Sequence, residues 1–545
     1  MKKILLIFNF IFLIFTCPVF FGNSAFSQAG MWTWIHGDTI PDSPGNFGIQ
    51  GIPSPLNTPP GIYEACEWTD LNGNFWLFGG NAGPGGLGAY GALWKYEPSI
   101  NIWTWIKGSS MLNDTGSYGL QGIPSVTNAP PSRSWGAATW TDLNGDFWLY
   151  GGTSKLVGTS SFCGRGDLWK YNIASNTWTW MQGSPSCSSY PYYGTIGIPS
   201  PSNTPGSRNE FSATWVDSSN NLWMFSGRGS NDLWKYTISS NEWTMVKGDT
   251  LPAQPAVYGT MGVPDPLNIP GGRYPYCTWK DKNEKFWLFG GLKVPFGYNL
   301  NDMWMYDPLS NNWTWMSGTN LTNQAAITGA FCDASANYIP ASRFENRARW
   351  TDACGKFWMY GGSHTNDLWY FNPVTLEWSM INGDPTNQFF HSAIYGTMGV
   401  PSPLNQPGSR SGSVSWISNN GELYHFGGTD ILDRRNDLWK YVPDTNCGGC
   451  NMSTSIRENN TTKELLIFPN PANPSLTISF QSSSNQTIEL RIYNTLGKQI
   501  YVEKEEITQG KFEKEINVEK LGSGIYFLQL KTKEGNINRK VIINH

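Results

Sequence analysis

The chain has 545 residues, a formal net charge of −4, 14% charged and 15% aromatic residues, and 28 tryptophans. That balance offers no basic patch for phosphates, which excludes nucleic acid as a partner, and it is too aromatic for a disordered chain. Of 9 cysteines, Cys17 lies in an N-terminal apolar run, and the even number left suggests disulfides formed in an oxidising compartment.

Met1-Lys2-Lys3, the apolar run Ile4 to Phe21 and Ala25-Phe26-Ser27 have the basic start, apolar middle and small residues of a secretory signal peptide, residues 1–27. Cys17 lacks the small residue before it that a lipid-attachment signal carries. No other stretch reaches the ~20 apolar residues that cross a bilayer, so the mature chain is expected to be exported without a transmembrane helix. An isolated strand, Trp32-Thr33-Trp34-Ile35-His36, comes next, with no strand before it to finish.

Six times a strand then ends in Gly-Gly or Ser-Gly, at Gly79-Gly80, Gly151-Gly152, Ser226-Gly227, Gly290-Gly291, Gly361-Gly362 and Gly427-Gly428. A tryptophan-centred strand follows each, from Ala92-Leu93-Trp94-Lys95-Tyr96 to Asp437-Leu438-Trp439-Lys440-Tyr441. In five copies a further tryptophan, Trp103, Trp178, Trp243, Trp313 or Trp378, comes seven residues after an aromatic. A four-stranded unit recurring roughly every 70 residues cannot bury its faces alone and must stack on its neighbours. The sixth copy lacks the closing tryptophan strand, and the lone Trp32 strand supplies one; pairing the two removes two exposed edges. Residues 28–446 are therefore expected to form an all-β, six-bladed propeller with an N-terminal strand as its Velcro closure.

A second phrase recurs between repeats: Tyr118-Gly119-Leu120-Gln121-Gly122-Ile123-Pro124, with counterparts starting at Tyr193, Tyr258 and Tyr395. These read as long loops rich in Gly and Pro. After Cys447 the composition changes, so that residues 447–463 read as a polar linker and 464–545 as a small antiparallel β-sandwich. Ile488, Leu490 and Ile492 alternate there with Glu489 and Arg491, the pattern of a half-buried strand.

The double glycine, the aromatic and the tryptophan seven residues beyond it resemble the kelch repeat, in units longer than the ~50 residues usual for kelch. The resemblance implies a propeller of the galactose-oxidase-like superfamily. In the tail, Phe468-Pro469-Asn470-Pro471, the stretch Leu490 to Gly497 and Gly522-Ser523-Gly524-Ile525-Tyr526-Phe527 resemble the C-terminal sorting domain of the type IX secretion system (type A, Por secretion). That resemblance implies recognition by this machinery, passage across both membranes, and release or anchoring at the cell surface.

Ligands are expected on the face that carries the loops after the double glycines and the loops entering the innermost strands, because variable loops on a rigid scaffold are where binding resides. An arginine opens the innermost strand in five repeats, Arg133, Arg208, Arg273, Arg343 and Arg410, and Gly61-Ile62 replaces it in the first. Two readings stay open: guanidinium groups converging on an anionic sugar or carboxylate, or arginines that each tie down their own loop. The repeated tryptophans read as packing. The non-repeated aromatics Tyr90, Phe162, Tyr190, Tyr192, Phe296 and Tyr298, with His364, are further ligand candidates. Cys163 is expected to pair with Cys187 and Cys332 with Cys354, while Cys447 and Cys450 either pair locally or staple the end of the ring.

Catalysis finds little footing in the sequence. There are 5 histidines without metal-ligand spacing, and no nucleophile elbow or phosphate loop, so no catalytic residue, metal or cofactor is assigned. The reading that results is an exported or surface module that binds a glycan or a partner protein. The kelch resemblance leaves a carbohydrate-active enzyme, an oxidase or mutarotase, as the alternative, and a structural surface protein as a third.

Overall fold

The computed structural model describes residues 30–450 and 465–544, apart from 83–85, 87, 156–160, 275–276, 296, 364, 387–389, 431–432, 470–471, 483, 495–497 and 534. The expected signal peptide, most of the expected linker, Phe296 and His364 lie outside the described residues. The chain divides into two compact units, Met1–Asn451 and Met452–His545.

Within the first unit each of the first five repeats builds an antiparallel sheet around four strands of its own, and the sixth contributes three. In the second repeat these are Ala138–Thr141, Phe147–Tyr150, Leu168–Asn172 and Thr177–Gln182, from the innermost outwards. Trp169 faces Trp180 and Tyr171 faces Trp178 across the last pair, which stacks large rings on one side of the pleat. The cores lie between sheets rather than within them. Phe147, Leu149 and Trp169 of the second sheet pack on Trp68, Trp76 and Phe78 of the first. Leu222, Met224 and Trp234 of the third pack on Trp140, Trp148 and Tyr150 of the second. The series runs on through the fourth and fifth sheets and returns where Phe75 and Leu77 of the first meet Trp416 and Tyr424 of the sixth. Innermost-strand indoles bond across these seams: Trp68 donates to the Trp148 carbonyl at 3.1 Å, Trp140 to Trp223 at 2.9 Å and Trp215 to Trp279 at 2.8 Å. The architecture is a β-propeller.

Its ring closes through the strand Trp32–His36, which pairs with Leu438–Tyr441 in the register Trp32 to Tyr441 and Trp34 to Trp439. The first repeat sets Trp103 on Tyr96 and Trp105 on Trp94 in the same way.

The Gly- and Pro-rich phrases have a definite task. Each runs along the outermost strand of the following sheet, with Gly51 donating to the Trp105 carbonyl at 2.7 Å, Gly122 to Trp180 at 2.8 Å and Gly399 to Trp34 at 2.7 Å. Asn57, Asn128, Asn203, Asn268 and Asn405 each donate through Nδ2 to the carbonyl of a tryptophan on that strand, at 2.9–3.2 Å. The loops thus cover edges that would otherwise present unmet backbone groups.

Cys163 is bonded to Cys187 with a Cα separation of 5.6 Å. The expected pairing of Cys332 with Cys354 is corrected: Cys332 bonds Cys447 and Cys354 bonds Cys450, at Cα separations of 4.8 and 5.5 Å. A single turn, Thr445–Cys447, capped by Asp444, brings Cys-Gly-Gly-Cys against the fifth repeat, where the Lys356 ammonium donates to the Gly448 carbonyl at 2.7 Å. Both cysteines of the motif therefore reach into another repeat. Cys66 and Cys277 are unpaired and buried.

In the second unit Leu466–Phe468, Ser475–Ser482 and Gly510–Asn517 form one sheet, and Gln499–Ile507, Gln486–Asn494, Gly524–Thr532 and Gly535–Ile543 form another. The two share a single core around Leu476, Ile478, Ile488, Leu490, Leu528 and Val541.

Candidate functional site

On one face of the propeller the segment entering each innermost strand pairs with the ribbon that follows the double glycine. Ile62–Tyr63 pairs with Asn81–Ala82, Arg273–Tyr274 with Leu292–Lys293, Ser134 with Thr153 and Ser411 with Thr429. The strands' other ends carry tight turns such as Asp142 to Asp146, in which the Asp142 carboxylate accepts two backbone N–H groups and the Trp148 indole.

The five repeat arginines do not converge on an open mouth. Each guanidinium is buried against the aspartate of its own repeat: Arg133 on Asp167 at 2.5 Å, Arg208 on Asp232, Arg273 on Asp302 and Arg343 on Asp367 at 2.7 Å, and Arg410 on Asp437 at 2.5 Å. The same carboxylates accept the indoles of Trp169, Trp234, Trp304, Trp369 and Trp439, and three of them accept the hydroxyls of Tyr118, Tyr258 and Tyr395. In the first repeat Ile62 stands for the arginine, Ala92 for the aspartate, and Phe47 packs on Trp94 where Tyr118 packs on Trp169.

The candidate aromatics scatter. Tyr90 is half-buried against Phe47, and Phe162 lies on Trp135 with ring centres 4.8 Å apart. Tyr190, Tyr192 and Tyr298 are exposed, the first two on an edge-covering loop rather than on a ribbon.

Two residues past five of the six arginine positions the chain turns through the left-handed region, at Glu64 (φ 53°), Trp135 (51°), Glu210 (58°), Glu345 (57°) and Gly412 (63°). Non-glycine residues held there cost about 1–3 kcal/mol each and gather at ligand sites. Backbone bonds knit these turns around the axis: Glu64 to the Gly412 carbonyl, Gly412 to Glu345, and Glu210 to Trp135, each at 2.9 Å. The Tyr63 hydroxyl bonds the Glu345 carboxylate. Burial, reinforced by the Glu210 charge, pushes the Glu345 carboxyl up to about 7 against the opposing hydrogen bonds of Tyr63 and Ser411. Three carboxylates and a tryptophan thus hold this turn position around the axis, with the Glu64 side chain buried.

One layer deeper the innermost strands present Thr139, Thr214, Thr278 and Ser415 in register, but the first has Glu67 and the fifth Arg349. Arg349 bonds Glu67 at 3.0 Å, and Arg347 reaches the same carboxylate at 3.5 Å. Both guanidinium groups lie over the Phe211 ring, 4.7 and 5.2 Å from its centre. Sequence reasoning missed the mouth and the channel alike. The available signal was the break in repeat register at Glu67 and Arg349.

Asp352 lies beside Cys354 and Cys450 in the arrangement of a metal-ligand group, but those two sulfurs are bonded to each other. No helix among the described residues is long and apolar enough to cross a membrane.

Residues 466–544 match the family described as the secretion system C-terminal sorting domain. The tail is a sorting domain. The sorting domain marks the chain for export by type IX secretion, to the cell surface or beyond it, and implies contact with that machinery. No curated protein matches the chain in sequence. Among solved structures, a fungal alcohol oxidase in complex with copper is similar at 14% identity and a TM-score of 0.39, over 92% of this chain and 100% of that one. A protein of unknown function from Bacteroides thetaiotaomicron is similar at 10% identity and a TM-score of 0.41, over 76% and 75% of the two chains. An endo-arabinase from the same organism follows at 11% identity and 0.28, over 61% of this chain and 96% of that one.

Proposed function

We propose that the chain is an exported, six-bladed kelch-type propeller that binds a glycan at the axial mouth of its loop face, with the sorting domain as its address. The observation that supports this reading is the contrast between two sets of positions. The repeat arginines, aspartates and tryptophans are used up in buried structural pairs, whereas Glu64, Trp135, Glu210 and Glu345 hold a left-handed turn around the axis whose side chain differs between repeats, with Tyr63 beside them. Aromatic faces beside carboxylates and hydroxyls are the chemistry that stacks on a sugar ring and bonds its hydroxyls. The Arg133, Arg208, Arg273, Arg343 and Arg410 side chains then serve the scaffold, not the ligand.

A glycan array probed with the exported full-length protein tests this, with Trp135→Ala and Glu210→Gln as controls. Glycans retained by the wild type and lost from both variants support the mouth; glycans retained equally by all three move the site elsewhere, and none retained removes the reading. One observation favours an enzyme on the same surface: Glu345 is raised towards neutrality beside Glu210, as suits a carboxyl that exchanges a proton. Turnover of any retained glycan that is abolished by Glu345→Gln would select that alternative.

A further inference from the structure

The channel below the mouth holds two cations that the fold does not require. Where Arg347 stands, the other described repeats have Ala65, Ala137, Ser212 and Ser413, and where Arg349 stands they have threonine, serine or Glu67. Arg347 has no exposed side-chain surface, yet its Nε and Nη1 meet no hydrogen-bond acceptor among the described residues. Its remaining nitrogen, Nη2, reaches Glu67 at 3.5 Å. Arg349 takes the better share of that carboxylate, at 3.0 Å, and also donates to the Arg347 carbonyl at 3.0 Å. Two guanidinium groups therefore share the Glu67 carboxylate, and two nitrogens of Arg347 are left without an acceptor among the described residues.

A buried guanidinium with unused N–H groups carries a heavy desolvation cost unless an acceptor arrives. Glu67 and Arg349 retain 10% and 14% of their side-chain surface, so solvent reaches these two, with the covered Arg347 in bonding reach of the same carboxylate. Guanidinium is the group that best matches a carboxylate in shape and charge. Trp135 offers a ring at the mouth above, and Thr139, Thr214, Thr278 and Ser415 surround the channel with hydroxyls.

We propose that Arg347 and Arg349 form a subsite for the carboxylate of an acidic sugar, whose ring is held at the axial mouth. This deepens the glycan-binding reading and rests on it. Titration calorimetry of the full-length protein with D-glucuronate and D-galacturonate, each against its neutral parent glucose or galactose, separates the two. The subsite predicts that at least one acid binds tenfold or more tightly than its parent, and that Arg349→Gln and Arg347→Gln each abolish the preference while retaining the neutral sugar's affinity. Neutral sugars binding as tightly as the acids would overturn the subsite and leave the glycan reading standing. No binding of any sugar would remove both. Because Arg347→Gln alters a buried group, its melting temperature is measured alongside, and Arg349→Gln, on a partly open side chain, carries the decision if the other variant fails to fold. An acid preference that survives Arg349→Gln overturns the proposal.

Discussion

Arg343 and Asp367 share two parallel hydrogen bonds of 2.7 Å, with no surface of either side chain exposed. Four other repeats hold the same kind of pair, and the first repeat has lost both members at once, to Ile62 and Ala92. Removing one partner of a buried pair strands a charge and typically costs about 3–5 kcal/mol, whereas replacing both by apolar groups can be nearly neutral. Arg343→Ile should therefore lower unfolding free energy by about that amount, and the double change Arg343→Ile with Asp367→Ala should recover much of it. Arg343→Lys should also destabilise, because a point charge does not reproduce the fork. A denaturation cycle on the wild type, Arg343→Ile, Asp367→Ala and the double variant measures the coupling; additive losses would show that the pair does not act as a unit.

The closing strand makes a second prediction. The Trp32 ring lies 5.1 Å from Tyr360 and 5.0 Å from Tyr441, and Asn405 bonds its carbonyl at 3.1 Å. Trp32→Ala should cost about 3–5 kcal/mol, as large-to-small changes in a packed core do. Deleting Met31 to His36 should cost more, since it also bares the edge of Leu438–Tyr441. A deletion that melts within a degree or two of the intact protein would sink the closure.

The bridges Cys332–Cys447 and Cys354–Cys450 join residues 115 and 96 apart in sequence. Constraining loops of that size in the unfolded chain is worth about 4–5 kcal/mol on the entropic account, and the two loops overlap, so their effects should not add. Replacing Cys447 and Cys450 by serine should lower the unfolding midpoint substantially, and reductant should lower the wild type at least as far, since it also opens Cys163–Cys187. A midpoint insensitive to reductant would mean the bridges are absent in solution.

The repeats were legible because tryptophans and paired glycines return in one register, and Trp32 betrayed the closure because it stood without a strand to finish. What stayed hidden depends on partners distant in sequence. The phrase around Gly122, which runs on to Asn128, could be seen to recur, but its partner, the strand of Trp178 and Trp180, is recognisable only when the sheets are stacked. The pairing of Cys332 failed for the same reason: proximity in sequence favoured Cys354, while the turn at Thr445–Cys447 delivers Cys447 from the end of the ring. The arginines showed where they begin a strand but not where the guanidinium ends, although the joint loss at Ile62 and Ala92 already coupled them to the aspartates. Glu345 shares its position with Glu64 and Glu210, but only stacking the sheets brings these acids around one axis, and Arg347, where other repeats have alanine or serine, belongs to no repeated phrase.

His425 occupies the position that Leu77, Leu149, Met224, Leu288 and Met359 hold in the other sheets, opposite a tryptophan on the next strand. It is fully buried, and neither ring nitrogen has a hydrogen-bond partner among the described residues. Burial, helped by the Arg410 charge, pushes its pKa from 6.5 down to about 3. Below about pH 6.5 the unfolded chain therefore binds a proton here that the folded chain refuses, so this group's contribution to stability falls as pH drops from about 6.5 towards 3. At pH 4.5, about two pH units below the unfolded value, the loss is on the order of 3 kcal/mol. His425→Leu, which restores the residue of the first two sheets, should be at least as stable as the wild type at pH 7 and should gain on it steadily as the pH falls. Unfolding free energies of both proteins between pH 7 and 4 provide the check; parallel curves would show that His425 already has a partner in the folded protein.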